Sequence, residues 1–120
     1  MTFKDLQELV MTQIGYDVED LADYATQIKQ YLNEGYYKLH EKYDGYNPDA
    51  ELSADADEPD LPDRSHGALA DYATYRMYMT GNAQKQNRGA PFLAQYREMA
   101  NDLGRSREEY SPTFTNLYSR

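Results

Sequence analysis

A helical spacing of apolar residues between positions 62 and 80 is the feature that most constrains how this chain of 120 residues can fold. Apolar and small side chains recur there every three or four residues, the period of one helix face, at Leu69, Ala73, Met77 and Thr80. Pro62 suits a first helical turn, because its missing N–H breaks no hydrogen bond at that place. The spacing predicts a helix over 62–80 that forms the apolar spine of a small domain.

The same period recurs in three other segments and predicts helices over 2–14, 21–43 and 83–103. Thr2 and Asp5 form a capping-box pattern at the start of the first of these helices. A chain of this length most naturally makes one domain with a modest core. The predicted fold class is therefore all-α, a small bundle of about four helices.

Glycine and proline positions add three expectations about these helices. Gly35 lies inside the second helix at a cost of about 1 kcal/mol relative to alanine, so we expect another helix to approach closely there. Pro91 is expected to kink or divide the fourth helix, because it removes one hydrogen bond and collides with the preceding turn. Gly104 is expected to end that helix.

An acidic, proline-containing segment separates the second and third predicted helices. Residues 44–63 hold eight acidic residues and no lysine or arginine, and few apolar side chains interrupt them. Such a composition predicts a long loop that is mobile or ordered by a partner. The carboxylates lack the spacing and the glycine of a calcium loop, so we predict no metal site. The charged residues that we single out as candidates for contact with another molecule are Asp55, Asp57, Glu58 and Asp60, with Lys85 and Arg88 as basic counterparts.

The last sixteen residues have no helical stripe and are predicted to form an extended tail. The chain is therefore divided into a helical domain over 1–104, which includes the loop over 44–63, and a tail over 105–120. Aromatic and apolar residues on such a terminus often anchor it on a partner. The candidate partner-binding residues of the tail are Tyr110, Phe114, Leu117 and Tyr118.

The net charge of −9 is unevenly distributed along the chain. Residues 1–63 hold sixteen acidic and four basic residues, whereas residues 64–120 hold five acidic and eight basic residues. Surfaces of opposite sign suit head-to-tail association of identical subunits. The alternative is that the acidic residues only maintain solubility. The chain has thirteen tyrosines and no tryptophan. The tyrosines can form an interaction surface or serve in ordinary packing, and the sequence favours neither interpretation.

Catalytic motifs are absent from the sequence. There is no cysteine, and no nucleophile elbow, phosphate-binding loop or zinc motif is present, so we predict no enzyme activity and no cofactor. His40 and His66 lie on different predicted helices, and His66 is expected to have a packing or capping role. Arg76 is expected to pair with Asp71 or Glu34, or to stack on a ring. No signal peptide and no membrane-spanning run is evident, which predicts synthesis in a cytoplasm and no membrane contact.

Two segments of the chain resemble the head–tail connector (adaptor, or head-completion) proteins of tailed bacteriophages. Residues 20–43, with the run Asn33-Glu34-Gly35-Tyr36, are similar to the connector helix that ends in a sequence of this kind. Residues 61–78 resemble the next connector helix, and residues 82–103 resemble the polar-then-aromatic helix that follows. The similarity spans residues 3–104 in the order of the family, with a long loop between helices two and three.

This resemblance implies a structural role in the virion, at the head–tail interface, after synthesis in the bacterial host. Connector proteins of this type form a ring, commonly dodecameric, beneath the portal after DNA packaging. The ring extends the DNA channel, lets DNA pass without sequence-specific binding, and docks the next stopper or tail protein. The resemblance implies that the candidate charges of the loop and of Lys85 and Arg88 lie between subunits or line the channel, and that the candidate residues of the tail contact the portal protein or a neighbouring subunit. Two alternatives from the sequence are a helical regulator that binds another protein through its tyrosines, and a DNA-binding regulator. The few basic residues near Lys85 and Arg88 make a weak recognition helix.

Overall fold

The computed structural model describes the backbone of residues 1–109 and the side chains of residues 1–106, a part of the chain that contains helices and no strand. Short 3-10 turns over Val18–Asp20 and Asp63–Ser65 lead into the second and third helices. The predicted all-α bundle is therefore confirmed. The four helices are α1 (Phe3–Ile14), α2 (Leu21–Asp44), α3 (His66–Met79) and α4 (Ala83–Glu109).

Helix α3 is the central helix and packs against each of the other three. Leu69, Ala70 and Ala73 are fully buried, and the two alanines let neighbouring helices approach closely. The predicted apolar spine is confirmed, except that Thr80 is exposed because α3 ends at Met79. Each leucine-sized side chain buried in this core contributes about 1.5–3 kcal/mol relative to an exposed one. The other helices contribute fully buried residues that include Leu6, Ile28, Leu32, Leu39 and Leu103.

Two glycines set the distance between α3 and its neighbours. A Cβ atom at Gly35 of α2 would lie 2.9 Å from Cδ1 of Tyr72, which is tighter than an ordinary contact. A Cβ atom at Gly89 of α4 would lie 2.9 Å from Cβ of Tyr78. The expected close approach at Gly35 is confirmed, and Gly89 plays the same role on the other side of α3.

Helix α4 runs without interruption through Pro91 and Gly104 to Glu109. The predictions that Pro91 divides the helix or that Gly104 ends it are wrong. Packing overrides these local signals, because Tyr96, Ala100 and Leu103 on the same helix are buried against the core. The boundary predicted between the domain over 1–104 and the tail over 105–120 therefore falls inside α4, and residues 105–109 are helical rather than extended.

The acidic loop, residues 45–62, packs against the bundle. Leu52 and Leu61 are buried, with 4% and 8% of their surface exposed. The side chain of Asn33 on α2 accepts a hydrogen bond from the N–H of Leu52 (2.7 Å) and donates one to its carbonyl oxygen (2.9 Å). The hydroxyl oxygen of Tyr36 accepts one from the N–H of Asp60 (2.9 Å). The prediction of a loop that is mobile or ordered by a partner is wrong, because contacts to its backbone groups from the same chain hold it in place.

Candidate functional site

The acidic loop also provides hydrogen-bond acceptors for the first amides of α1. The first amides of a helix have no acceptor within the helix and need one from elsewhere. Here the N–H of Phe3 donates to the carbonyl oxygen of Asp57 (2.7 Å), and that of Lys4 donates to the carbonyl oxygen of Asp55 (3.1 Å). The capping box predicted for Thr2 and Asp5 is present as well. The loop is therefore held at both α1 and α2.

Asp57 organises the turn that presents these carbonyl groups. Its Oδ2 atom accepts hydrogen bonds from the N–H groups of Ser53 (2.9 Å) and Ala54 (2.8 Å). These backbone bonds lower the pKa of the Asp57 carboxyl group below its ordinary value. Asp57, a candidate inter-subunit charge, thus has its carboxylate engaged within its own loop.

The other three acidic candidates present their carboxylates to solvent. Asp55 is exposed, and the side chains of Glu58 and Asp60 are 62% and 88% exposed. The Glu58 carboxylate lies 3.5 Å from the N-terminal amine, and Asp60 Oδ2 lies 3.5 Å from Nε2 of His40. These weak contacts leave most of the negative surface of the loop available to a partner.

Both histidines are buried and bonded within the fold. His40 contacts the carbonyl oxygen of Tyr46 through Nδ1 (2.7 Å), and His66 contacts that of Leu61 through Nε2 (2.9 Å). The packing role expected for His66 is confirmed. Within the described residues no group of histidine, aspartate and glutamate side chains is arranged to hold a metal ion. No helix in residues 1–109 is both long enough and apolar enough to cross a bilayer.

A groove of about 820 Å³ lies between the C-terminal half of α2 and the C-terminal half of α4. Its apolar floor is formed by Tyr96 and Ala100, which are 8% and 7% exposed. Three basic side chains, Lys38, Lys42 and Arg97, are exposed along it. We call this feature the basic groove; its remaining lining residues are Glu41, Gly45 and Asn101. No single segment of the sequence shows it, because its two sides lie more than fifty residues apart in the chain.

A cluster of tyrosine and charged side chains fixes the helices at one end of the basic groove. Arg76 of α3 forms an ion pair with Glu34 of α2, and its guanidinium carbon lies 4.8 Å from the ring centre of Tyr31. Both the pairing with Glu34 and the stacking expected for Arg76 are therefore present. Burial raises the pKa values of Tyr72 and Tyr96 to about 12, with a hydrogen bond to Glu34 adding to the effect at Tyr72.

A partly buried polar link joins α1 to α3. The Gln13 side chain donates to Oδ1 of Asp71 (3.0 Å) and accepts from the hydroxyl of Thr74 (2.6 Å). Burial raises the pKa of Asp71 above its ordinary value, while the hydrogen bond from Gln13 opposes that change. Asp71 serves this link rather than the pairing with Arg76 that was the alternative to Glu34.

The remaining candidates lie apart from the basic groove or outside the described residues. Lys85 and Arg88 are exposed in the first two turns of α4, whereas the groove is formed by residues 96–101 of that helix. Within residues 1–106, the structure does not pair either of them with the acidic loop. The four tail candidates lie outside the described residues: Tyr110, Phe114, Leu117 and Tyr118.

Comparison with known families identifies the chain. The sequence profile described as SU10 adaptor protein matches residues 42–116, which is more than half of the 120 residues. The chain belongs to the SU10 adaptor protein family. This is a family of phage head–tail adaptors, so the resemblance to connector proteins is confirmed. No curated protein and no solved structure matches the chain.

The SU10 adaptor match falls on one of the two segments that carry the resemblance. It covers residues 61–78 and 82–103, whereas residues 20–43 lie almost entirely before its start at residue 42. It includes the whole acidic loop and the α4 side of the basic groove. The family is a structural one rather than an enzyme family.

Proposed function

We propose that this adaptor assembles as a homo-oligomeric ring, dodecameric as in related connectors, between the portal and the tail of a virion. The ring extends the DNA channel and offers a surface to the next stopper or tail protein. DNA passes through without sequence-specific binding. The observation that carries the proposal is the family match over residues 42–116, which takes in the acidic loop, α3 and the whole of α4.

Two properties of the folded subunit support ring formation. Four helices bury their apolar faces within one chain, so a subunit does not need its neighbours to complete a core. Its outer surface carries an acidic loop and a basic groove formed by different residues, which suits a heterologous contact that closes by rotation. An excess of nine negative charges also disfavours tight binding to the phosphates of passing DNA.

The proposal is tested by the mass of the complex formed with the portal protein of the same phage. Twelve copies of a 13.9 kDa chain add about 167 kDa to the portal ring. Mass photometry of portal alone and portal with excess adaptor measures this gain, and bovine albumin in place of adaptor controls for crowding. An unchanged portal mass contradicts the proposal.

The two alternative functions give different results in matched assays. A helical regulator binds its target without adding a closed set of copies to a portal ring. A DNA-binding regulator shifts linear duplex at low salt, and this shift weakens steeply as salt is raised. We expect no such shift at about 50 mM salt.

A further inference from the structure

Five of the twelve basic residues line the basic groove or a depression that shares residues with it, in a chain whose net charge is −9. Lys38, Lys42 and Arg97 line the basic groove. Arg76 of α3 and Arg105 of α4 line two adjoining depressions. Arg76 is neutralised by Glu34, and Arg105 lies 3.9 Å from Asp102. The groove itself has three basic residues and one carboxylate, that of Glu41, among its lining residues, so basic side chains are in excess there.

The acidic loop and the basic groove lie on opposite sides of α2. The loop contacts α2 through Asn33, Tyr36 and His40, whereas Lys38 and Lys42 face the groove. With 3.6 residues per turn, the mean directions of these two sets differ by about 170° around the helix axis. Apart from its first residue, Gly45, which borders the groove, the loop of one chain is thus separated from its own groove by the body of α2.

We propose that the basic groove of one subunit binds the acidic loop of a second copy of this chain, an inference that rests on the proposed ring function. The two surfaces are complementary in chemistry. The loop offers exposed carboxylates at Asp55 and Asp60, and the groove offers Lys42 and Arg97 beside an apolar floor. The loop also carries Tyr46, a residue that is 76% exposed and whose ring suits burial against such a floor.

This pairing gives assembly a direction. Each subunit uses its loop on one side of α2 and its groove on the other. A copy that joins the assembly through one of these surfaces therefore presents the other surface to the next copy. Such head-to-tail contacts form a closed ring when the rotation per subunit divides a full turn. Opposite charges also orient the subunits before contact, which favours the correct register over face-to-face pairing.

Charge reversal tests the proposal on the full-length chain. The readout is filling of the portal, by which we mean the gain in mass of the portal ring when adaptor copies bind to it. The groove variant carries Lys42→Glu and Arg97→Glu, and the loop variant carries Asp55→Lys and Asp60→Lys. All four positions are exposed, and Asp57 is left intact because it organises the loop. Circular dichroism and thermal melting verify that each variant is folded.

We expect each variant alone to fill the portal at least about tenfold less well than the wild type at low salt, because every junction then brings like charges together. An equimolar mixture of the two recovers filling. In an alternating ring the native loop of the groove variant meets the native groove of the loop variant, and the reversed surfaces meet each other. A matched variant with Lys85→Glu and Arg88→Glu has the same change of charge at basic residues outside the groove, and the inference requires that it fill the portal better than the groove variant does.

Three results overturn the inference. Normal filling by either variant alone shows that the groove does not receive the loop. Loss of filling that the mixture does not recover shows that these surfaces contact the portal or another protein instead of each other. A wild-type chain that fills no portal removes the proposed function, and this inference with it, whereas the first two results leave the ring function standing.

Discussion

The close approach of α2 and α3 at Gly35 makes replacement of this glycine a sharp test of the packing. In an open helix interior, glycine to alanine stabilises by about 1 kcal/mol. At Gly35 the new Cβ atom would lie 2.9 Å from Cδ1, 3.1 Å from Cγ and 3.2 Å from Cβ of Tyr72. All three distances are below the 3.5–4.0 Å of a favourable carbon contact.

Tyr72 has little freedom to move away. Its side chain is buried, its hydroxyl donates to Glu34, and its ring centre lies 5.0 Å from that of Tyr96. Overpacking of this kind costs about 1–3 kcal/mol. After subtraction of the helical gain, we expect Gly35→Ala to lower the free energy of unfolding by about 1 kcal/mol, a fall in melting temperature of about 4 °C.

Gly104 provides the matched control on α4. Apart from its own residue, its two chain neighbours and the adjacent backbone of α4, no described atom lies within 4 Å of a Cβ atom placed there, and the helix continues beyond it to Glu109. Gly104→Ala should therefore keep the helical gain of about 1 kcal/mol and raise the melting temperature by about 4 °C. Thermal unfolding followed by circular dichroism measures both variants. A Gly35→Ala variant that melts above the wild type, as Gly104→Ala is expected to, refutes the packing described between α2 and α3.

Three further predictions concern titrating groups. Asp57→Ala should lower the melting temperature at pH 7 more than Asp55→Ala does. Because folding lowers the pKa of Asp57, its carboxylate stabilises the fold above the ordinary pKa of 3.8, and this stabilisation is lost as the pH falls through the native pKa. The melting temperatures of the wild type and Asp57→Ala should therefore converge in acid. Asp71→Asn should raise the melting temperature at pH 7, because the raised native pKa of Asp71 means that its ionised form opposes folding. Below pH 3.8 the carboxyl group is protonated in the folded and unfolded chain alike, so the variant should lose this advantage. In a spectrophotometric titration, Tyr72 and Tyr96 should ionise near pH 12 in the folded chain, and Tyr96→Phe should remove one of these late steps; titration of all tyrosines near 10.0 would contradict the burial described.

Helix existence could be predicted from the sequence because it depends on local spacing. The periods in 2–14, 21–43 and 62–80 correspond to α1, α2 and α3, and the close contact at Gly35 follows from the cost of an interior glycine. The end of α4 could not be predicted in this way. A glycine such as Gly104 weakens a helix by about 1 kcal/mol, which the burial of a neighbour such as Leu103 outweighs.

The packing of the acidic loop could not be predicted from its composition. Its attachment uses the amide of Asn33, the hydroxyl of Tyr36 and the carbonyl oxygens of Asp55 and Asp57, and the count of charged residues contains none of these. Backbone groups carry no sequence signal of their own, so such contacts are visible only when α1 and α2 are placed beside the loop.

The basic groove depends on distant segments brought together by the fold. The excess of basic residues in 64–120 indicated surfaces of opposite sign, but it did not show that Lys38 and Lys42 of the acidic half lie beside Arg97. A signal was present in the spacing. Lys38 and Lys42 are four residues apart, and Arg97 and Arg105 are eight apart, so each pair follows one face of its helix.

Electron microscopy of the adaptor bound to its portal tests the ring most directly. Class averages of negatively stained portal, with and without adaptor, show whether density is added on the portal axis and with what rotational symmetry. We predict a closed coaxial ring of adaptor copies that continues the channel on one side of the portal. Portal particles that remain unchanged at saturating adaptor, or that carry single copies without a closed ring, contradict the account.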